Sequence, residues 1–336
     1  MKGSKILLVV VILATLAALV GCAAPTAAPA TSEEAAAPAA PAEQAQKTYK
    51  DLVVGYAQLG AESEWRTANT ASIQQAAEEL GVTLKFSDAQ QKQENQIKAI
   101  RSFIAQGVDV IGVPPVVTTG WETVFQEAKD AGIPIILVDR RADVPEDLYA
   151  TYLGSDFVEE GRKAGNEMNK LLPEGGKIVE LVGTVGSAPA TDRFSGFRET
   201  MAPNIEIIDS QSGDFTRAKG KEVMEAFLKK YGAEITALYA HNDDMALGAI
   251  QAIEEFGLKP GTDIKIVSID AVRGAFQAMV DGKLNVTVEC NPLLGPQFYE
   301  LALKVVNGEE VPKWVPSEES VYYPDNAAEI LPTRQY

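Results

Sequence analysis

Two doubly wound parallel-sheet lobes of the α/β class are what this sequence predicts. From residue 52 onward, short apolar runs alternate with longer amphipathic ones, the order of a strand–helix–strand chain. The apolar runs are near-continuous, as strands covered on both faces must be. The pattern also runs through twice, once up to Gly154 and once beyond it. Two such sets predict two lobes with a cleft between them, and in open parallel sheets ligands sit beyond the carboxyl ends of the strands.

The elements follow in order. A strand is expected at 52–56 and a helix at 64–80, with Ile73, Ala76, Ala77 and Leu80 on one face. Next come a strand at 83–86 and a helix at 91–106 carrying Ile97, Ile100 and Ile104 at helical spacing. A strand at 110–113, a helix at 121–131 and a strand at 133–138 complete the first set. Gly81, Gly107 and Gly132 each follow a helix, where a left-handed cap is wanted. In the second set, helices are expected at 158–172, 190–201, 217–231, 243–256 and 273–281. Strands are expected between them at 178–182, 205–208, 237–239, 264–269 and 285–288.

Ahead of the first strand lies a different kind of sequence. Lys2 and Lys5 precede an apolar run at 6–20, closed by Leu19-Val20-Gly21-Cys22. That is the layout of a secretory signal peptide at 1–21, short for a membrane-spanning helix. The Leu-x-Gly-Cys ending resembles the lipobox of bacterial lipoproteins, which implies a lipid on Cys22. Residues 22–49 are mostly Ala, Pro, Thr, Ser and Glu, and such a stretch forms a disordered tether rather than a core.

Composition removes several functions. The 47 acidic against 30 basic residues give a net charge of −17 and no basic cluster, which argues against nucleic acid as a partner. One His and two Cys leave no material for a zinc site or a Ser-His-Asp triad. With Cys22 lipidated, Cys290 has no partner for a disulfide. Neither cofactor nor metal is expected; the protein is expected to be a monomer, and not an enzyme.

Polar residues just after the strands are the site candidates. Glu62, Ser63, Trp65 and Arg66 follow the first strand, and Asp139 and Arg140 the fourth. Arg193 follows the Gly-rich turn at 183–186, while Asn242, Asp270 and Glu289 each follow a strand of the second set. Asp243 and Asp244 read as caps of the next helix, and Trp65 could equally be a core aromatic. Together the set offers acids, an amide, guanidinium groups and a flat ring from both lobes. A neutral polyol needs that combination, because planar side chains bond vicinal hydroxyls in pairs while an aromatic face covers C–H groups.

These residues also carry a resemblance. Residues 239–248 (YAHNDDMALG), 267–270 (VSID) and 138–140 (VDR) resemble sugar-binding proteins of ABC importers in the ribose/galactose superfamily. Residues 60–66 (GAESEWR), 90–99 and 210–217 are most similar to its galactofuranose-binding branch. The resemblance implies the type I periplasmic binding protein fold, with three crossovers between the lobes. It divides the chain into 50–154 plus 290–317 as one lobe and 155–289 plus 318–336 as the other. It implies a ligand shell of Glu62, Ser63, Glu64, Trp65, Arg66, Asp139 and Arg140, closed by Arg193, Asn242 and Asp270, with Phe215 and Glu289 as additions. The expected ligand is galactofuranose or galactose, and the expected partner is an ABC permease. Arg66 stands where ribose-type members tend to carry a second aromatic, which suits a furanose bearing an exocyclic diol.

Other readings are weaker on the same residues. A repressor core of this fold is at odds with a signal peptide. An enzyme using Glu62 and Asp139 as paired carboxylates would need a raised pKa, and Arg66 and Arg140 beside them act the other way. A binder of another small polar solute, such as a ribose-like sugar, a nucleoside or a furanone signal, is the stronger rival.

Overall fold

The computed structural model of the chain describes residues 46–336. The expected signal peptide, the lipidated Cys22 and the tether up to residue 45 lie outside the described residues. No helix among the described residues is long and apolar enough to cross a membrane.

The first lobe opens with β1 (Val53–Gln58), α1 (Glu64–Leu80), β2 (Thr83–Asp88), α2 (Gln93–Ala105), β3 (Val110–Val113), α3 (Glu122–Asp130), β4 (Ile135–Val138) and β5 (Thr151–Leu153). The chain then enters the second lobe with α4 (Phe157–Leu171), β6 (Gly176–Val182), α5 (Ala188–Thr200), β7 (Ile205–Ser212) and α6 (Arg217–Tyr231). That lobe continues through β8 (Ala237–Ala240), α7 (Asp243–Phe256), β9 (Lys265–Asp270), α8 (Arg273–Val280) and β10 (Val286–Glu289). It returns to the first lobe for α9 (Gly295–Val306) and β11 (Trp314–Val315), and to the second for β12 (Val321–Tyr322) and α10 (Pro324–Ile330).

Each lobe holds one six-stranded sheet, ordered β11-β5-β4-β3-β1-β2 and β12-β10-β9-β8-β6-β7. All pairings are parallel except β10 with β12. Strand alternation makes the first sheet two-faced. Val54, Tyr56, Ile136 and Val138 pack with Ile73 of α1 and Phe298 of α9. Ala57, Ile111, Ile135 and Leu137 pack with Ile100 of α2 and Phe125 of α3. Helices on both faces are why its strands read as unbroken apolar runs.

Local signals set the helix ends. Ser63 caps α1, its Oγ accepting from Arg66 N at 3.0 Å, and Gly81 ends that helix at φ 75°. Gly107 and Gly132 are also left-handed, at φ 62° and 72°. Lys47 already belongs to the fold: its backbone and Asn307 exchange hydrogen bonds of 2.8 and 3.0 Å, and its ammonium pairs with Asp109. The expected tether to residue 49 therefore runs too far, because these contacts dock 47–49 on the first lobe.

Candidate functional site

The cavity lies where strand ends of the two sheets face each other. About 280 Å³ of space not filled by atoms lies between them, part of it open to solvent. Eight of the expected residues from β1, α1, β4, α5, β8 and β9 and their following loops line it, together with the aromatics Trp65 and Phe215.

The first lobe supplies a charge-balanced wall. Arg66 Nη2 donates to Asp139 Oδ2 at 2.5 Å and Arg66 Nε to Glu62 Oε1 at 3.2 Å. Arg140 stands 3.7 Å from both Glu62 Oε1 and Asp139 Oδ2, and its Nη1 donates to the Val116 carbonyl at 3.2 Å. Arg66, Asp139 and Arg140 are 2, 4 and 3% exposed, and buried groups of opposite charge are tolerated where they pair with one another. Burial disfavours the Arg66 cation, but Asp139 and Glu62 more than restore it and hold its pKa above the ordinary value. Burial, aided by the neighbouring Arg66 charge, brings Arg140 down to about 10, where it is still charged at neutral pH. Ser63 lines the same wall.

The second lobe supplies Arg193, Asn242, Asp270 and Phe215. Arg193 Nη1 donates to the His241 carbonyl at 2.6 Å, its Nε to Glu160 at 2.7 Å, and its Nη2 lies 3.6 Å from Asp270 Oδ1. Burial pushes the Asp270 carboxyl well above the usual range, against the pull of Arg193. Phe215 sits between cations of both lobes, its ring centre 5.3 Å from the Arg140 guanidinium and 5.9 Å from that of Arg193. A Cβ on Gly183 would fall 1.9 Å from the Phe215 ring, so this aromatic fits only beside a glycine. Trp65 is both wall and core: it is buried, lines the cavity, and its Nε1 donates to the Cys290 carbonyl at 2.7 Å.

Three lining residues hold left-handed backbone: Asp139 at φ 63°, Phe215 at 61° and Asp270 at 125°. Such conformations cost about 1–3 kcal/mol each and gather where function dictates the side chain's direction. Two polar atoms in lining side chains, Glu62 Oε2 and Arg140 Nε, are buried without a partner among the described residues. One accepts and the other donates, and both face the demand that buried polar groups be paired. A hydroxylated guest can meet both.

Several expectations need correction. Glu64 does not line the cavity; it closes the rim. Its N–H donates to Asp244 Oδ2 at 2.7 Å, and its carboxylate accepts from Arg217 Nη2 at 2.7 Å. Glu289 ends β10 on the opposite face, paired with Arg334 at 2.9 Å and accepting from the Tyr336 hydroxyl at 2.9 Å. The next residue, Cys290, takes the cavity side instead, as the alternation of an extended chain requires. Asp243 and Asp244 are not caps. Asn242 caps α7, its Oδ1 accepting from Met245 N at 3.0 Å, while its Nδ2 donates to the Phe215 carbonyl at 3.2 Å. Asp243 is a buried strut accepting from Val272 N and Thr287 Oγ1, each at 2.9 Å, and from Ser268. Pro189 and Cys290 line the cavity without having been singled out.

Bonds between the lobes shut the mouth. Besides the Glu64 contacts, Thr118 N donates to the Gly186 carbonyl at 2.9 Å, and Arg141 pairs with Asp192. Two α/β lobes closed over a small polar cavity define a bilobal solute-binding protein.

Comparison places the chain more finely. It belongs to the periplasmic binding protein domain family, whose profile matches residues 54–310. It is 52% identical to the galactofuranose-binding protein YtfQ of Escherichia coli strain K12, over 83% of this chain and 90% of that one. A solved protein from Mycobacterium smegmatis in complex with β-D-fucofuranose is 55% identical, with a TM-score of 0.83 over 85% of this chain and 95% of that chain. The arabinose-transporter binding protein of Shewanella sp. ANA-3, bound to α- and β-L-arabinofuranose, is 49% identical, with a TM-score of 0.82 over 84 and 95%.

Proposed function

We propose that this protein is the solute-binding component of an ABC sugar importer and that its cleft captures an aldofuranose of the galactose configuration. The observation that carries the reading is the first-lobe wall, where Glu62 Oε2 and Arg140 Nε stand buried and unpartnered in a small cavity. A furanose presents vicinal hydroxyls that both donate and accept, so one guest can pair an orphan acceptor and an orphan donor together. Trp65 and Phe215 offer apolar surface to its C–H groups.

The sugars named for the three relatives support the same choice. D-galactofuranose, D-fucofuranose and L-arabinofuranose share one ring configuration and differ only in the exocyclic arm. A wall that reads the ring accepts all three. A polar pocket rejects a guest lacking a hydroxyl more strongly than one lacking a methylene. With a furanose as the guest, galactose binds as its minor furanose form, with apparent affinity lowered by that fraction.

Asp139, Arg140, Arg66 and Glu62 grip the ring from the first lobe, and Arg193, Asn242 and Asp270 close from the second. The relatives are sugar-binding transport proteins, and in this role the chain delivers its sugar to a permease. The lipobox motif ending in Cys22 supports a lipid anchor outside the membrane. Cys22→Ser should move the protein from the membrane to the soluble fraction; unchanged membrane association would mean that the apolar run at 6–20 is retained as the anchor.

A calorimetric panel of galactose, D-fucose, L-arabinose, ribose, xylose and glucose tests the ligand. Galactose should bind, with D-fucose and L-arabinose weaker because each lacks one hydroxyl of the exocyclic arm. Tight binding of ribose or glucose with none of galactose would overturn the furanose assignment.

A further inference from the structure

The three crossovers between the lobes meet behind the cavity. Ser155 comes from the first, Cys290 from the second and Glu319 from the third, and Glu160 reaches them from the first turn of α4. The Cys290 sulfur and one carboxylate oxygen each of Glu160 and Glu319 all lie within 4.8 Å of one another. Ser155 Oγ is hydrogen-bonded to Glu319 Oε1 and lies 3.4 Å from Cys290 Sγ. Asn291 N donates to Glu319 Oε1 at 3.4 Å, and Lys163 Nζ donates to the Glu319 backbone carbonyl at 3.2 Å. The cluster touches the site through Glu160, which accepts from Arg193 Nε at 2.7 Å, and through Cys290, which lines the cavity.

The cluster has few hydrogens to share. Ser155 donates to Glu319, and the Cys290 thiol lies against both Ser155 and Glu160, which leaves no hydrogen between the two carboxyls. Glu160 Oε1 is buried with no partner among the described residues. A proton shared between the two carboxyls supplies that donor. Charge points the same way: Glu160, Glu319 and Asp270 crowd around the Arg193 guanidinium. The nearby Lys163 ammonium is taken by a carbonyl, and the Tyr152 hydroxyl is given to the Asp139 and Ser155 carbonyls at 2.7 and 3.0 Å. Tyr336 and Arg334 turn to Glu289. Burial pushes the Glu319 and Glu160 carboxyls up, against Ser155 and Arg193, and keeps the Cys290 thiol protonated.

We propose that Glu319 is a positioning residue for the sugar site: it carries a proton in the closed cleft, leaving the Glu160 charge to hold Arg193 in the cavity, so closure over sugar takes up a proton from water. The inference rests on the sugar reading above. Opening the hinge hydrates Glu319, and a hydrated carboxyl is ionised at neutral pH. The closed state thus binds the proton more tightly than the open one, and linkage makes sugar affinity fall as pH rises.

The test is calorimetric titration of D-galactose into the full chain and its Glu319→Gln variant, between about pH 6 and about pH 9, in two buffers of different ionisation heat. The wild type should weaken by up to about tenfold per pH unit above neutrality and take up close to one proton per sugar. Glu319→Gln supplies the hydrogen without titrating, so its profile should be flat and its proton uptake nil. Glu319→Ala lacks the donor and should bind more weakly at every pH. A flat wild-type profile, or the same slope and uptake in Glu319→Gln, overturns the inference and leaves sugar binding standing. Absence of galactose binding by the wild type even at about pH 6, the end of the range where binding should be tightest, overturns both.

Discussion

The two walls of the cleft solve the same problem differently. The first-lobe wall pairs two carboxylates, Glu62 and Asp139, with two guanidiniums, Arg66 and Arg140, so its charges balance within one lobe. The second-lobe wall has Arg193 among Glu160 and Asp270, and its balance extends into the hinge. One wall is therefore organised before a ligand arrives, while the other depends on how the crossovers sit. A buried charge pair is strongly felt when one partner is removed, so the walls should respond unequally to mutation.

The largest effect is expected at Asp139. Asp139→Ala leaves the buried Arg66 with the 3.2 Å contact to Glu62 and a long 3.5 Å bond to Asn69, and should weaken sugar binding by roughly 2–3 kcal/mol in calorimetry. Trp65→Ala should cost about as much, through lost ring contact and an unpaired Cys290 carbonyl. Asp270→Ala should cost less, about 1–2 kcal/mol, because Arg193 keeps Glu160 and the His241 carbonyl. Equal losses at Asp139 and Asp270 would erase the contrast between the walls.

A middle effect concerns stability rather than binding. Asp243→Ala removes three accepted bonds and should lower unfolding stability by about 2–3 kcal/mol. Burial raises the Asp243 carboxyl from the usual aspartate range to about 7. The folded state then holds a proton that the unfolded state has lost, so this contribution falls as pH rises through that window. Asp243→Asn should flatten that part of the melting profile while the wild type slopes downward.

The smallest effect belongs to the rim. Arg217 is 40% exposed and bridges Glu64 and Asp244 at 2.7 and 2.9 Å. Its loss should change affinity by about 0.5 kcal/mol, as exposed pairs do, and show mainly as faster sugar release in stopped-flow.

Much of this was legible in the sequence because strands buried on both faces leave apolar runs that cannot be mistaken for surface. The rule that ligands sit beyond strand ends found Asp139, Arg193, Asn242 and Asp270. It missed by one residue at β10, since Glu289 and Cys290 point to opposite sides and the sequence carries no signal for which side is wet. The two-residue strands β11 and β12 are too short to leave a period. Asp243 looked like a cap because Asn242, which caps instead, precedes it directly. Glu319 carried no signal at all: its role exists only where residues 155, 290 and 319 meet.

Small-angle scattering without and with saturating galactose tests the central claim, that both walls grip one sugar, most directly. Hinge closure drawn by contacts from both lobes should reduce the radius of gyration, and Asp139→Ala at the same sugar concentration should stay expanded. An unchanged radius at full occupancy in the wild type would contradict a grip made by two walls.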